Sequence, residues 1–468
     1  MASMEASGSG GAADGGDDAS LASQMDFMEV DATVMQDDEG EMLIEDDGEE
    51  LGGNYLEDDG SLEDGEDDGT FASLARVEEQ MRTGPGAPFA RAVGEDDAAA
   101  TAAVHTDSVY CCAFSRAGDA LTGGGDDAAY LHYGAASGTV SRSVKLEGHT
   151  DSVTCCGFSG SGRIAATGSY DGTVKLWDVG TGALSRTLDG PGDVEWLRWH
   201  PFGDVILCGA NDGTCWMWLA TSGSCMRVFS GHDGAVLSGA FTCDGKSIFT
   251  GSSDGSARVW APKKGVCKHA FLPHPGGPPP KKSVVMTQGA LTAVAVHPSD
   301  PDLAAAAAED GSAVVVHCKT KRVLARLEHA VQQTVVREDG EDDDPPYSVV
   351  ALAFASEPPT WLATGGVDGF LRVWDFAAAP DRPRVSLAHN TAVVCCEWFP
   401  KAPKLVSNSA DLTVKIWDAR DGACLRVFNG HTDVPLALAL HFPEEGETEC
   451  AILSAGDDNA AKVFLLPR

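Results

Sequence analysis

Three sets of side chains in this sequence combine a histidine, a hydroxyl residue and an aspartate at matching intervals. The first set is His149, Thr167 and Asp171. In a hydrolase such a set forms a triad, in which the aspartate orients a histidine that removes a proton from the hydroxyl nucleophile. The spacing of 22 residues between histidine and aspartate returns at His232–Asp254 and at His389–Asp411. An active site is usually single, so this recurrence predicts a structural network that repeats along the chain.

A tryptophan follows the aspartate by six residues in each set, as Trp177 follows Asp171. A largely buried aspartate must be hydrogen-bonded or it destabilises the fold, so the four side chains are predicted to bond to one another. The predicted structural sets are His149, Thr167, Asp171 and Trp177; His232, Thr250, Asp254 and Trp260; and His389, Ser407, Asp411 and Trp417. Neither a phosphate-binding loop nor a His-Glu-x-x-His motif is present, and the sequence predicts no catalytic residue, no metal and no cofactor.

The spacing of six residues between an aspartate and an aromatic residue also occurs outside the three sets. Asp127 leads to Tyr133 and Asp458 leads to Phe464, whereas Asp310 leads only to Val316. The eight recurring aspartates are Asp127, Asp171, Asp212, Asp254, Asp310, Asp368, Asp411 and Asp458. A period of about 40–45 residues that ends in Trp-Asp is typical of the blades of a WD40 β-propeller. The sequence therefore predicts an all-β WD40 propeller with eight blades, and seven blades plus a degenerate segment is the alternative.

One repeat shows which elements position these side chains. After Gly148-His149 come two apolar runs, Val153–Phe158 and Arg163–Gly168. Asp171-Gly172 then gives a tight-turn signal, and Thr173–Trp177 alternates as a strand does. Short strands separated by glycine and aspartate turns predict an antiparallel meander of four strands.

The two ends of the chain predict how the ring closes. The chain ends at Arg468, just after the third strand of its last repeat, so that blade lacks a fourth strand. A strand near residues 98–104, directly before His105, is predicted to complete it, which removes two exposed sheet edges. The predicted domains are an acidic tail over residues 1–89 and the propeller over residues 90–468.

Charge separates the two predicted domains. Residues 1–75 contain 24 Asp and Glu and neither Lys nor Arg, a composition that predicts disorder. The net charge is −38, of which residues 1–100 contribute −26 (29 acidic and 3 basic residues), so the remainder has −12. Because both parts of the chain are acidic, we do not expect direct binding to nucleic acid, and we expect basic protein partners.

Composition also bears on the cellular environment. No signal peptide and no apolar run long enough to span a bilayer are found, and the 14 cysteines include no Cys-x-x-Cys pair. We expect a monomeric intracellular protein with reduced thiols, in the cytoplasm, with the nucleus as the alternative.

Blade three has a distinctive sequence. It reads Gly192-Asp193-Val194-Glu195-Trp196-Leu197-Arg198-Trp199-His200-Pro201, and its third strand is Cys215-Trp216-Met217-Trp218. Four tryptophans in a blade without an opening Gly-His resemble the angio-associated migratory cell protein family. The acidic leader, the segment Gly148–Thr154, the acidic insertion Glu338–Asp344 and the ending Gly456–Phe464 resemble that family as well.

This resemblance implies a function. Fungal members of the family are dedicated chaperones of a basic large-subunit ribosomal protein, of the universal L-sixteen or eukaryotic L-ten family, in 60S ribosome biogenesis. The implied partner is the basic N-terminus of that client, held by an acidic face of the propeller. The alternative is a signalling or ubiquitin-ligase-type WD40 scaffold, involved in cell migration or other protein–protein interaction, and an enzyme is disfavoured.

Candidate contacts follow from the WD40 architecture, in which the loop entering each blade and the turn before each recurring aspartate form one face. Glu195, at the start of the first strand of blade three, is the preferred single candidate. The predicted partner-binding residues are Glu195, Asp193, Trp196, Asp107, Asp126, Asp151, Tyr170, Asn211, Asp233, Glu309, Asp433 and Asp457. Carboxylates among a few aromatic rings suit the charged heads and apolar stems of Lys and Arg.

Overall fold

A computed structural model describes residues 95–273, 286–329, 348–442 and 449–467. Within these ranges the chain forms eight four-stranded antiparallel sheets and one short 3-10 helix, Ala135–Ser137. The prediction of an all-β propeller with eight blades is therefore confirmed. The predicted disordered tail over residues 1–89 and the insertion 338–344 lie outside the described residues.

The first four blades follow one another along the chain. Blade one comprises β2 (Val109–Phe114), β3 (Ala120–Gly124), β4 (Ala129–Tyr133) and β5 (Arg142–Leu146); blade two comprises β6 (Val153–Phe158), β7 (Ile164–Ser169), β8 (Thr173–Asp178) and β9 (Leu184–Asp189). Blade three comprises β10 (Val194–Trp199), β11 (Val205–Ala210), β12 (Cys215–Leu219) and β13 (Ser224–Phe229); blade four comprises β14 (Val236–Phe241), β15 (Ile248–Ser252), β16 (Ala257–Ala261) and β17 (Val266–Phe271).

The last four blades repeat the pattern and return to the start of the chain. Blade five comprises β18 (Leu291–Val296), β19 (Leu303–Ala308), β20 (Ser312–His317) and β21 (Arg322–Glu328); blade six comprises β22 (Val349–Phe354), β23 (Trp361–Gly366), β24 (Phe370–Asp375) and β25 (Val385–Ala388). Blade seven comprises β26 (Val393–Trp398), β27 (Lys404–Ser409), β28 (Val414–Asp418) and β29 (Cys424–Phe428); blade eight comprises β30 (Pro435–His441), β31 (Glu449–Gly456), β32 (Ala461–Pro467) and β1 (Ala100–Ala102).

The turn between the second and third strands of each blade needs a residue with left-handed backbone geometry. Gly172 takes this position in blade two, with φ 77°. Asp127, Leu412 and Asn459 take it in blades one, seven and eight, with φ between 57° and 68°. Glycine, asparagine and aspartate adopt this geometry at the lowest cost, so these turns place the preceding aspartate at one end of the blade.

The hydrophobic core lies between neighbouring sheets. Trp177 of blade two packs with Leu121 and Leu131 of blade one and is 2% exposed. Blade five has no tryptophan, and the five alanines Ala304–Ala308 of β19 are fully buried. Phe249 and Phe271 of blade four fill that interface instead. Neighbouring blades thus share a hydrophobic core. This packing holds the turns between their second and third strands together at one end of the ring.

The N-terminal strand closes the ring. β1 pairs with β32 in an antiparallel register that places Ala100 opposite Val463. Asp96 adds an ion pair with Lys462 of β32, at 2.8 Å. Asp97 and Asn429 exchange backbone and side-chain hydrogen bonds. Blade eight therefore joins the two ends of the described chain.

Deleting residues 90–104 is expected to abolish cooperative unfolding of the ring, because the deletion exposes β32 as a sheet edge and breaks the Asp96–Lys462 ion pair. Thermal melting followed by circular dichroism measures the effect. A deletion of residues 76–89, which leaves β1 in place, is the control and should melt as the full chain does. An unchanged transition in the 90–104 deletion would disprove this mechanism of closure.

Candidate binding face

The predicted His–hydroxyl–Asp–Trp sets form hydrogen-bonded chains within single blades. In blade two, His149 Nδ1 lies 2.8 Å from an Asp171 oxygen and His149 Nε2 lies 2.8 Å from the Thr167 hydroxyl. Trp177 donates its indole N–H to the same hydroxyl, at 2.9 Å. The equivalent sets in blades four and seven have the same bonds, at 2.7 to 3.1 Å.

The geometry determines what these sets do. The ionised Asp171 carboxylate can only accept, so His149 Nδ1 donates to it; Nε2 of a neutral imidazole then accepts the Thr167 hydroxyl proton, while the Thr167 oxygen accepts the Trp177 N–H. Burial would raise the pKa of Asp171, but hydrogen bonds from His149 and Thr173 hold it well below its usual range. The Thr167 hydroxyl is fully buried and both its hydrogen bonds stay within the blade. The sets therefore hold the turns in place.

In blade one the predicted aspartate is off by one residue. His105 Nδ1 bonds to Asp126 at 2.8 Å, whereas Asp127 is exposed. The physical reason is the left-handed geometry of Asp127, which occupies the position that Gly172 takes in blade two. His132 then takes the place of the tryptophan and bonds Thr122 at 3.1 Å, rather than Tyr133. Asp126 thus belongs to the structural set of blade one, and its role as a partner contact stays a prediction.

Two further sets were not predicted from the sequence. In blade six His329 bonds Thr364 at 2.6 Å and Asp368 at 3.1 Å. In blade eight His431 bonds Ser454 and Asp458, both at 3.0 Å. The histidine precedes its aspartate by 39 and 27 residues here, so the regular spacing of 22 does not reveal them. The Gly430-His431-Thr432-Asp433 motif, which repeats Gly148–Asp151, was the available signal for blade eight.

These networks gather the blade-entry loops and the turns between second and third strands at one end of the ring, here called the top face. Most predicted contacts lie there and are exposed or half-buried. Those at the blade entries are Asp107, Asp151, Asp193, Asp233 and Asp433, and those in the turns are Tyr170, Asn211, Glu309 and Asp457. We call the opposite end, formed by the turns between first and second and between third and fourth strands, the lower face.

Carboxylates on blades one and two interact on the top face. Asp107 and Asp151 are exposed in the entry loops and Asp127 is exposed in the turn of blade one. Burial and the negative charges of Asp151, Asp126, Asp171 and Asp107 raise the pKa of Asp127. These carboxylates lie near enough for their charges to act on Asp127, and a cation bound among them relieves that repulsion. Asp127 was missed as a contact because the sequence pattern counted it among the eight recurring aspartates.

Tyr170 marks the boundary between blades two and three. Burial, followed by the charges of Glu195 and Asp193, raises the pKa of the Tyr170 phenol well above its usual range. Asn211 donates from its amide to Asp193 at 2.8 Å, which orients that carboxylate. Glu195 is half-buried at the start of β10. We call Asp107, Asp127, Asp151, Asp193 and Glu195 the acidic crescent.

Trp196 is not a surface residue, and its predicted role as a partner contact is wrong. It is 5% exposed and donates its indole N–H to the Val236 carbonyl of blade four at 2.8 Å. Glycines stand on both sides of the ring: a Cβ at Gly209 would lie 2.4 Å from the indole nitrogen, and one at Gly239 would lie 2.2 Å from a ring carbon. The indole is therefore a spacer between blades three and four.

A buried apolar cluster lies beneath the top face at blades six to eight. Val434 and Leu436 of blade eight pack with Ala392 and Ala410 of blade seven. Tyr110 of blade one, Val367 and Val394 pack against this cluster and are partly buried. The top face thus has an acidic crescent on one side and covers an apolar cluster on the other, with Tyr110 next to both.

Two charged residues face the central channel. The first strands of neighbouring blades contact each other and so surround the channel. At the fifth position of that strand six blades have alanine or glycine, whereas blade three has Arg198 and blade seven has Glu397. Blades three and seven are opposite in a ring of eight. Burial raises the pKa of Glu397 to about 7, despite a hydrogen bond from the Leu440 backbone.

Glu397→Gln is expected to stabilise the protein at high pH. The pKa of Glu397 is raised in the folded state above the ordinary 4.5. Between these values the folded state binds more protons than the unfolded state, so the free energy of unfolding falls as pH rises. The free energy of unfolding of the variant should exceed that of wild type by about 2 kcal/mol at pH 8 and by little at pH 4. This value allows for screening by water in the channel. Urea denaturation at both pH values measures this.

The exposed lower-face residue Glu357, changed to Gln, is the control and should show no such pH-dependent gain. Equal stability of wild type and Glu397→Gln at pH 8 would contradict the raised pKa of Glu397.

The described residues contain neither a helix long and apolar enough to cross a membrane nor a group of three or more metal-ligating side chains.

A family model for the WD domain, G-beta repeat, matches residues 100–131, 140–178, 182–218, 223–261, 344–375 and 382–418. The chain is a WD40-repeat protein. The matched ranges leave out the strands β30 to β32 of blade eight and all of blade five, which has neither an opening histidine nor an aromatic residue after its aspartate.

Relatives confirm the family resemblance. Angio-associated migratory cell protein of Homo sapiens is 30% identical over 279 residues, which is 59% of this chain and 59% of the human protein. The protein of the same name from Canis lupus familiaris is 31% identical over 279 residues, with the same coverage. This WD40 chain therefore matches less than two thirds of the length of these curated relatives.

Solved structures share the fold. Sqt1 of Saccharomyces cerevisiae has a TM-score of 0.68 and 19% identity, and the match covers 80% of this chain and 100% of that one. Sqt1 of Chaetomium thermophilum, solved bound to the N-terminus of the ribosomal protein L10, has a TM-score of 0.66 and 22% identity, with 80% and 100% coverage. At these identities the comparison establishes the WD40 propeller itself.

Proposed function

We propose that this WD40 protein is a non-enzymatic chaperone for a basic large-subunit ribosomal protein of the L10 family. In this proposal the top face binds the basic N-terminal segment of the client until the client joins the 60S subunit. The acidic crescent is the observation that supports it: five carboxylates on three consecutive blades, with Tyr170 at the boundary between blades two and three.

The crescent suits arginine and lysine side chains. Asp107 and Asp151 are exposed, and each accepts a hydrogen bond from the next backbone N–H, at 2.8 and 2.7 Å, which restrains its rotamer. Each carboxylate keeps free acceptor sites that face solvent. Arginine binds carboxylates through paired hydrogen bonds, and a restrained carboxylate loses less entropy when it binds.

The remainder of the top face suits the rest of a peptide. Val367 and Val394, which are partly buried and pack against the buried apolar cluster, offer apolar surface for hydrophobic side chains. Tyr110 offers an aromatic ring between that surface and the acidic crescent. A basic segment with interspersed apolar residues therefore matches this face better than a uniformly charged polymer does.

The structural neighbour supports the choice of client. Chaetomium thermophilum Sqt1, which has the same fold, was solved bound to the N-terminus of the ribosomal protein L10. An unassembled ribosomal protein is strongly basic and binds RNA without specificity. An acidic face that covers its N-terminus prevents such binding. We place this activity in the cytoplasm, where the client is synthesised.

A sedimentation assay tests the chaperone role. The client is expected to pellet with added ribosomal RNA when it is alone and to stay in the supernatant, in a complex of one chain each, when the full chain is present. A protein of equal net charge without a propeller is the control for general polyanion effects. If the client pellets equally with and without the full chain, the proposal is wrong.

A further inference from the structure

The lower face of blades four and five is basic, although the chain as a whole is acidic. Residues 262–271 of blade four and 318–324 of blade five, which cover the turn between the third and fourth strands and part of the fourth strand, contain six Lys and Arg and no Asp or Glu. All six are exposed: Lys263, Lys264, Lys268, Lys319, Lys321 and Arg322. We call these six residues the basic patch. Glu328 lies at the opposite, upper end of β21, where it accepts a hydrogen bond from Arg326 at 2.7 Å.

The corresponding turns of the other blades do not concentrate positive charge. In blades one, two and three these turns, residues 134–141, 179–183 and 220–223, contain no charged residue. In blades six and seven, Asp381 and Asp421 accompany the arginines of the turn. The two cationic turns therefore belong to neighbouring blades and set one sector of the lower face apart.

Contacts across the two blades show that the basic patch is one surface. Lys268 donates to the Ser247 hydroxyl at 2.8 Å, which fixes its amine on the lower face of blade four. Burial raises the pKa of Cys318 in blade five to about 12, and the charge of Lys268 opposes this rise. Burial lowers the pKa of His269 in blade four, and the charge of Lys321 lowers it further. A lysine of each blade thus lies near enough to act on the other blade.

The positive charge of the basic patch is not neutralised by the neighbouring turns. Four of its residues form no ion pair with the described part of the chain: Lys264, Lys319, Lys321 and Arg322. Half-buried carboxylates of the adjacent lower-face turns are bonded within those turns: Asp244 accepts from the Thr242 hydroxyl at 2.7 Å, and Asp300 accepts from the Asp302 N–H at 3.0 Å. Since like charges repel, an anionic partner stabilises this sector.

Exposed aliphatic side chains lie in the same segments as the cations. Val266 of β17 is 51% exposed and Leu324 of β21 is 43% exposed. These segments present no exposed aromatic ring on which a nucleic-acid base could stack, since Phe271 is buried. A phosphate backbone would pair with the cations and leave the aliphatic side chains in water. An acidic protein segment with its own aliphatic residues matches both features.

We propose that the basic patch binds an acidic segment of a partner protein, in which Asp and Glu are interspersed with aliphatic residues. The carboxylates pair with the lysines and with Arg322, and the aliphatic side chains cover Val266 and Leu324. The basic patch and the acidic crescent lie on opposite faces of the ring, so the two surfaces take partners of opposite charge. This inference does not depend on the chaperone role.

Charge reversal tests the electrostatic part of the proposal. Fluorescence anisotropy of a labelled synthetic peptide composed of Asp, Glu and Leu is expected to show binding to the full chain that weakens as salt is raised. The variant Lys264→Glu, Lys321→Glu, Arg322→Glu should weaken this binding at least about tenfold, because each change replaces an attraction by a repulsion. The control Arg116→Glu, Arg163→Glu, Arg382→Glu makes the same change in net charge at exposed lower-face positions of other blades and should bind as wild type does, within about threefold at physiological salt. Equal losses in the two variants, or no binding by wild type, would overturn the proposal.

An apolar variant separates a protein partner from a nucleic acid. Val266→Ser, Leu324→Ser should weaken binding of the Leu-containing peptide about fivefold or more and leave binding of a Ser-for-Leu peptide unchanged. The control Leu184→Ser, Leu425→Ser changes two leucines that are 48% and 49% exposed on blades two and seven, and should have no effect. Matching melting temperatures show that all variants are folded. If both peptides bind equally, or if polyuridylate binds the basic patch more tightly than the Leu-containing peptide does, the assigned partner is wrong.

Discussion

Reversing three charges of the acidic crescent is expected to weaken binding of the basic N-terminal peptide at least about 100-fold, or about 3 kcal/mol. The variant is Asp151→Lys, Asp193→Lys, Glu195→Lys, on blades two and three. Each change removes an attraction for a client arginine or lysine and adds a repulsion. Asp193 and Glu195 also flank Tyr170, so their reversal changes the field where an aromatic ring adjoins the crescent.

A matched variant distinguishes the effect of where the charges lie from the effect of the change in net charge. Glu357→Lys, Asp381→Lys, Asp421→Lys makes the same change in net charge at exposed positions of the lower face. Its affinity should remain within a few-fold of wild type, since exposed charges more than about 10 Å away are largely screened at physiological salt. Fluorescence anisotropy with a labelled peptide measures both variants, and matching melting temperatures show that each is folded. If both variants lose equal affinity, the top face is not the specific site.

Asp411→Ala is expected to cost about 3–5 kcal/mol of the free energy of unfolding. Asp411 accepts hydrogen bonds from His389, Asn390 and Thr413 and an ion pair from Lys415, at 2.5 to 3.2 Å. Its side chain is 1% exposed, so removing it leaves buried donors and a lysine without a partner. Urea denaturation at neutral pH measures the loss.

The control for this prediction is Asp212→Ala in blade three. Asp212 is exposed, stands at the equivalent turn, and bonds only the backbone and hydroxyl of Thr214 among the described hydrogen bonds. The Asp212→Ala substitution should lower the free energy of unfolding by about 1 kcal/mol or less. Equal losses in the two variants would contradict the role assigned to the histidine network.

The contribution of Asp411 to the free energy of unfolding also depends on pH. Burial opposes ionisation, but the hydrogen bond and charge of His389 hold the pKa of Asp411 well below the ordinary 3.8. A depressed folded-state pKa gives stability that is present above 3.8 and is lost as pH falls through the folded-state value. The difference between wild type and Asp411→Ala should therefore shrink below about pH 4.

The architecture was predictable from the sequence because each blade repeats the same turn. Asp171-Gly172 and its equivalents give a period that only short antiparallel strands satisfy. The closing strand was expected near residues 98–104, and the structure has β1 at Ala100–Ala102, paired with β32. Counting the strands of the last repeat was enough to expect this.

Details of single blades were less predictable. In blade one an aspartate replaces the turn glycine, so two adjacent aspartates compete for one role and only the backbone geometry of Asp127 decides between them. In blade six the histidine and its aspartate lie on either side of a long connection, which hides their pairing from a fixed interval.

The candidate site was predictable as a set of loops but not as individual contacts. Trp196 follows Glu195 directly, which suggested a shared surface. A register shift between Val194 and Trp196, and the space left by Gly209 and Gly239, instead place the indole between blades. The apolar cluster at blades six to eight was not foreseen, because its valines and leucines resemble ordinary core residues until the ring is assembled.

A titration of the full chain with the N-terminal peptide of its own L10-family ribosomal protein tests the central claim most directly. Calorimetry at low and at physiological ionic strength, about 0.15 M, gives the stoichiometry, the affinity and the salt dependence. The proposed function predicts one site, with an affinity that rises as salt is lowered and is lost in the acidic-crescent variant. The absence of binding at both ionic strengths would contradict the claim that the top face recognises this client.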